Sequence, residues 1–307
     1  MTDIVGKRYW YFLLSLLIIV PGVIALFVWG LPLSIDYTGG SQLQVQFPQA
    51  ASQIQPAEVT TLIEGLGFGG VVQTSTDNVV IIRTKTLNET EQAQLLDALK
   101  AKYGEVTLLR SDNVGPTVGA EVTRNAALAV GLAAIGILIY IWYAFRHVSH
   151  PFRYGVCAII AMIHDVLVMI GSAALLGKFL GWEIDALFLT AALTVIGFSV
   201  HDTIVVFDRI RENQKVYRRA SYEAIVNHSI VQTLDRSINT QLTVTFTLVA
   251  LALFGGVTIQ HFIVTMLIGL ISGTYSSIFN AAPLLVVWEN GELGRLFGRG
   301  KQAEATA

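Results

Sequence analysis

The chain has 307 residues, 53% of them hydrophobic and 14% charged, with a formal net charge of -2. So apolar a composition excludes a soluble globular protein, and so weak a net charge offers no case for nucleic acid or an acidic substrate. The single cysteine, Cys157, excludes an intramolecular disulfide and leaves the redox compartment unread.

Apolar runs able to cross about 30 Å of hydrocarbon at about 1.5 Å per residue predict six membrane helices. They fall at residues 9–29, 126–145, 154–176, 184–207, 238–254 and 262–288. The first follows Lys7 and Arg8 as a signal peptide would. Its length of about 20 residues, its aromatic flanks and the missing Ala-x-Ala site make it a retained anchor, spanning 1–32. Lys7, Arg8, Arg146, Arg153, Arg209, Arg211, Lys215, Arg218, Arg219, Arg295, Arg299 and Lys301 gather on one side, against Lys178 on the other. By the positive-inside rule both termini are cytoplasmic, including a tail at 289–307, and residues 33–124 are extracytoplasmic.

That segment reads as a folded α+β domain. Residues 42–47 alternate, 56–66 have helical spacing, and 71–75 and 79–84 flank Asp77-Asn78 as a hairpin would. Asn88 caps a second helix to about Tyr103 with Glu91 at the capping-box position, and 106–110 supply a last strand. The order βαββαβ is the ferredoxin-like one, which carries no function by itself. Gly39-Gly40 and Gly115-Pro116-Thr117-Val118-Gly119 join this domain to the membrane helices, either as hinges or as tight connections.

Within helices two to six, spread over 125–288, several polar groups need a reason, because a mid-membrane acid costs about 2.5–3.5 kcal/mol on translocon-based scales. Helix three carries His164-Asp165, helix four carries His201-Asp202, and helix five opens with Arg236. Asn239, Thr240, Thr243 and Thr247 continue one face from Arg236. If helices four and five are antiparallel neighbours, Asp202 and Arg236 can meet, either as a structural ion pair or as a switchable proton site. His164 and Asp165, with His201, form a candidate accessory polar site. Gly269 and Gly273 make a G-x-x-x-G packing face, within the chain or against another subunit. The cytoplasmic connector 208–235 has amphipathic spacing, and reads either as an interfacial helix or as a solvated link.

Neither Gly-bearing connection has G-x-G-x-x-G or Walker spacing, no H-E-x-x-H accompanies the His-Asp pairs, and residues 197–201 lack the last glycine of G-x-S-x-G, so neither metal nor cofactor nor catalytic residues are expected. The chain reads as a non-enzymatic membrane protein.

Several motifs together are similar to the SecF family of membrane subunits of the bacterial Sec protein-export machinery, the SecD/SecF group within the resistance-nodulation-division (RND) superfamily. They are Ile35-Asp36-Tyr37-Thr38-Gly39-Gly40, the Gly115-Pro116 stretch, residues 194–213, Arg236-Ser237-Ile238-Asn239-Thr240 and Gly273-Thr274-Tyr275-Ser276-Ser277-Ile278-Phe279. The resemblance implies half of a twelve-helix bundle in the bacterial cytoplasmic membrane, completed by SecD. It also implies action with the SecYEG channel on exported unfolded polypeptides, driven by protons. It places the relay on Asp202, Arg236, Asn239 and Thr240. His201 stands where many relatives have asparagine, and Ser237 where threonine is usual. A stand-alone RND-type exporter of small molecules or lipids, and a scaffold that only clamps the channel, are the competing readings.

Overall fold

A computed structural model describes residues 3–48, 54–74, 79–148, 150–256 and 259–292. The predicted turn at Asp77-Asn78 and the tail cations Arg295, Arg299 and Lys301 lie outside them. The chain divides into two compact units.

The smaller unit comprises 32–128 and 183–186. Its strands are β1 (Gly40–Gln46), β2 (Gly70–Thr74), β3 (Val79–Thr84) and β4 (Thr107–Val114). They form one antiparallel sheet in the order β2-β3-β1-β4, the ferredoxin-like arrangement. Period-2 alternation explains the register. Leu43 and Val45 of β1 and Val80 and Ile82 of β3 turn inward with Phe47, onto Val59 and Ile63 of α3 (Pro56–Gly65) and Leu95 and Leu99 of α4 (Glu89–Tyr103). The anticipated capping box starts α4: Asn88 Oδ1 accepts from Glu91 N–H at 2.8 Å, and Glu91 Oε2 accepts from Asn88 N–H at 2.9 Å.

A short helical turn, α2 (Ile35–Thr38), was not anticipated; Ser34 caps it through Asp36 N–H at 3.2 Å. It brings the two glycine-bearing connections together. A side chain on Gly39 would fall 2.9 Å from Pro116 Cα, and one on Gly119 would fall 2.8 Å from Gly39 N. These glycines therefore serve backbone-to-backbone contact.

Residues 183–186 are held to this domain by backbone and side chain. Ser34 N–H donates to Ile184 C=O at 2.9 Å, Ile184 N–H donates to Pro32 C=O at 2.7 Å, and Asp36 Oδ2 accepts from Ala186 N–H at 2.9 Å. Glu183 forms an ion pair with Arg83 of β3, both side chains largely buried. Burial pushes the Glu183 carboxyl up to about 7, although the Arg83 guanidinium opposes the shift, and burial likewise lowers Arg83.

The larger unit holds 1–31, 129–182 and 187–307. Six helices are long and apolar enough to cross a membrane. They are α1 (Arg8–Trp29), α5 (Pro116–Ala144), α6 (Pro151–Leu180), α7 (Ala186–Val216), α8 (Tyr222–Phe254) and a sixth made of α9 (Gln260–Ser276), a π-helical segment (Ser277–Ala281) and α10 (Ala282–Glu289). The interruption was not anticipated. Pro283 lacks an N–H and its ring crowds the carbonyl four residues back, Phe279, so the local hydrogen bonding widens.

The connector 208–235 is not a separate interfacial helix. Nothing in 208–216 breaks a helix, so α7 runs on to Val216, and Ser221 caps α8 through Ala224 N–H at 3.3 Å. The two extensions pack as a hairpin, with Asn213 Nδ2 donating to Ser229 Oγ and Gln232 Oε1, each at 2.9 Å. The G-x-x-x-G face packs within the chain: a Cβ on Gly273 would meet Ser199 Cβ at 3.1 Å, and one on Gly269 would meet Val195 Cγ2 at 2.4 Å.

The Glu183 carboxyl has a folded-state value above its ordinary 4.5, so its contribution to domain stability is fully present below about 4.5 and is lost as pH rises through about 7. Hydrogen-exchange protection of the β3 amides is expected to fall between about pH 4.5 and pH 7 in the parent chain and to flatten in Glu183→Gln. An equal slope in both proteins refutes this account.

Candidate functional site

The polar residues of the larger unit separate into an inward set and an outward set. The inward set centres on Asp165 of α6, which is fully buried. Its Oδ2 accepts from Ser199 Oγ of α7 at 2.5 Å and from Ser276 Oγ of α9 at 2.7 Å. Its Oδ1 accepts from Ser272 Oγ of α9 at 2.7 Å and lies 3.0 Å from His164 Nδ1. His164 Nε2 lies 3.1 Å from Ser15 Oγ of α1, and Ser15 is bonded in turn to Asn280 of the π-helical segment. Beside this cluster Thr203 Oγ1 meets Ser277 Oγ at 2.9 Å, and Ser277 Oγ donates to Ser199 C=O at 3.0 Å. One carboxylate thus ties together α6, α7 and α9, and through His164 it reaches α1.

Helical spacing dictates who faces the acid. Ser272 and Ser276 are four apart, one turn along one face of α9, and the close approach at Gly273 lets α7 bring Ser199 within reach. Sequence reading singled out His164 and Asp165 but missed Ser15 and Asn280. The signal was there: Ser15 is the sole polar side chain between Phe12 and Val28. The π turn that aims Asn280 inward, however, is set by Pro283.

Asp202 lies three residues beyond Ser199 on α7 and is also buried. Its Oδ2 accepts from Gln241 Nε2 of α8 at 2.7 Å. Sequence reading allowed it to meet Arg236; among the described residues no ion pair joins the two, and Gln241 is the hydrogen-bond partner of the carboxylate. The reason is angular. Thr233, Ser237, Gln241 and Leu248 form the buried face of α8, whereas Arg236, Asn239, Thr243 and Thr247 lie exposed on its other face. Thr240 is half-buried between the two. The stripe hydroxyls turn back to their own helix: Thr240 Oγ1 donates to Arg236 C=O at 2.9 Å, Thr243 to Thr240 C=O at 2.7 Å, and Thr247 to Thr243 C=O at 3.0 Å. Among the described residues, Ser237 Oγ and Gln241 Oε1 on the buried face of α8 have no hydrogen-bond partner. His201 is exposed and does not join either set. Gly39, Gly40, Gly115, Pro116 and Gly119 belong to the α+β unit described above.

Chemically, the inward set presents three hydroxyl donors and an imidazole nitrogen to one carboxylate, and the Asp202 site presents one donor plus unused acceptors. In the second arrangement a turned Gln241 amide can accept from a protonated carboxyl as well as donate to an ionised one. Among the described residues no three His, Cys, Asp or Glu side chains converge as metal ligands.

Replacing Gly273 by valine is expected to push Ser199 away from Asp165 and to destabilise the bundle by about 1–3 kcal/mol. Thermal unfolding in detergent reads this, and an unchanged midpoint counts against the close α7–α9 packing.

Comparison with known proteins places this geometry. Residues 94–291 match the family described as protein export membrane protein SecD/SecF, C-terminal, and residues 24–51 match the SecD/SecF GG motif. The chain is 52% identical over 303 residues to a protein translocase subunit SecF of Anaerolinea thermophila, covering 98% of each chain. It is 51% identical to one of Thermobaculum terrenum, covering 100% of each. The crystal structure of SecDF, a translocon-associated membrane protein from Thermus thermophilus, superposes with a TM-score of 0.82 at 34% identity, covering 94% of this chain and 39% of that one. The chain spans about two fifths of that longer relative and nearly all of the two SecF proteins. With its six membrane helices, its small antiparallel domain and these matches, the chain belongs to the SecD/SecF family of protein export membrane proteins.

Proposed function

We propose that this chain is a multi-pass subunit of the bacterial protein translocase that works with a SecD partner to couple proton movement to protein export. The observation that carries the reading is the pairing of a buried acid, Asp202, with a polar stripe that faces away from the chain's own core. Hydrocarbon does not accommodate an arginine and an asparagine on an exposed helix face at low cost, so the stripe calls for a protein neighbour. A SecD half fits that need, since the SecDF match holds a further three fifths of chain beyond the part aligned here.

In this reading both termini lie in the cytoplasm, the domain at 33–124 lies outside the cytoplasmic membrane, and the SecYEG channel and the exported unfolded polypeptide are the other partners. The proton site is Asp202, with Arg236, Asn239 and Thr240 lining the route along the covered stripe. While Asp202 is ionised it accepts from Gln241 Nε2 and attracts the Arg236 guanidinium. When it takes a proton the attraction ends, the Gln241 amide turns to accept from it, and the α7–α8 pairing loses a charged hydrogen bond. Neutral and charged acids thus favour different packings of the same helices, which is what a two-state device requires. The connections at Gly39-Gly40 and Gly115-Pro116-Gly119 pass the difference to the extracytoplasmic domain.

The test is gradient-stimulated export in inverted vesicles that contain SecD, SecYEG and either the parent chain or Asp202→Asn or Arg236→Ala. Both variants are expected to reduce export to its level without the gradient while leaving the assembled subunit in the membrane. Full gradient-stimulated export by both overturns the relay.

A further inference from the structure

We propose that His164 is a second proton-binding site, independent of Asp202 and built into the contact between α1, α6 and the π-helical segment. The geometry that points to it is a hydrogen-bond chain that closes in either direction. His164 Nδ1 lies 3.0 Å from Asp165 Oδ1, and Nε2 lies 3.1 Å from Ser15 Oγ. Ser15 Oγ in turn lies 2.8 Å from Asn280 Nδ2 and 3.1 Å from Asn280 Oδ1, so the amide offers it both a donor and an acceptor.

With the ring neutral, Nδ1–H donates to Asp165, Ser15 O–H donates to Nε2, and Asn280 Nδ2–H donates to Ser15 Oγ. When a proton is added at Nε2, that nitrogen becomes a donor to Ser15 Oγ, and the Ser15 hydroxyl turns to donate to Asn280 Oδ1. One hydroxyl rotates and no heavy atom moves; the neutral wiring leaves Asn280 Oδ1 without its Ser15 donor, and the protonated wiring supplies it. A histidine that only packs needs one of these wirings.

Charge favours filling the site. The groups that face the ring are Asp165 from its own helix, Ser15 from α1, and Asn280 from the π-helical segment; Tyr275 from α9 stacks on it at 6.1 Å with its hydroxyl donated to Tyr11 C=O at 2.6 Å. From α7, Ser199 faces the Asp165 carboxylate behind it. Asp165 is the one ionisable acid among them. With Asp165 ionised and His164 neutral the buried cluster carries a net negative charge; a proton on Nε2 then makes it a neutral ion pair, which a buried site tolerates far better. Proton binding here needs no assumption about export, whereas its use in transport rests on the function proposed above.

The test reads the ring itself in the full chain in lipid nanodiscs, by ¹⁵N NMR of labelled histidines, with His164→Gln assigning the signal. The neutral ring is expected as the Nδ1–H tautomer, and acidification over the range in which the chain stays folded is expected to protonate both nitrogens. In Ser15→Ala the protonated fraction at a given pH within that range is expected to fall, because Nε2–H loses its acceptor. Asp202→Asn is expected to leave the His164 signal unchanged, which separates failure of this site from failure of the Asp202 relay. A parent ring whose shifts do not change across that range, or whose neutral form is the Nε2–H tautomer, overturns the proposal without recourse to any variant. An identical titration in a folded Ser15→Ala chain overturns it as well.

Discussion

The Asp165 carboxylate is the interaction on which the helical unit depends. Three serine hydroxyls from two other helices and the imidazole of its neighbour converge on two oxygens of a side chain with no exposure. In a bilayer there is no water to replace any of them, so separating α7 or α9 from α6 leaves a buried carboxyl and several hydroxyls short of partners at once. The penalty is shared among helices distant in sequence. A single acid therefore specifies which helices meet and in what register, a task that apolar packing performs poorly where the solvent is as apolar as the side chains.

The small residues around it follow from the same constraint. Hydroxyl donors are short, so the helices that carry them must come close: Gly273 admits Ser199, and Gly22 and Gly171 let α1 and α6 approach backbone to backbone, which sets Ser15 beside His164. The outward stripe on α8 obeys a different rule. Its threonines satisfy themselves on their own backbone, a local solution that leaves Arg236 and Asn239 for whatever lies against that face. Inward polarity holds this chain together; outward polarity asks for another.

Long-range periodicity made the six membrane helices and the βαββαβ order legible in the sequence, and Asn88 with Glu91 gave one helix start to the residue. What escaped was angular and local. Arg236 and Gln241 are five residues apart on α8, more than a full turn, and a list of polar residues on one stripe could not show that the buried face behind it supplied the acid's real partner. The π turn depends on one missing N–H at Pro283, and the continuation of α7 and α8 beyond the membrane depends on the lack of a breaker before Tyr217; both are negative signals, which hydropathy does not weigh. Asp165 was undervalued for a further reason. Its partners lie 34, 107 and 111 residues away, and nothing but the folded chain brings them together.

The ion pair of Arg83 and Glu183 makes the opposite use of burial. Here both partners are disfavoured by loss of water, the acid strongly enough to titrate near neutrality, so the pair contributes little net stability to the domain. What it adds is a side-chain partner for the segment 183–186, beside its backbone bonds to Pro32 and Ser34 and its bond to the Asp36 carboxylate. That segment continues directly into α7, the helix that carries Ser199 and Asp202. The Arg83–Glu183 contact fixes one short segment within its own domain, whereas the hydroxyls around Asp165 fix three helices at once.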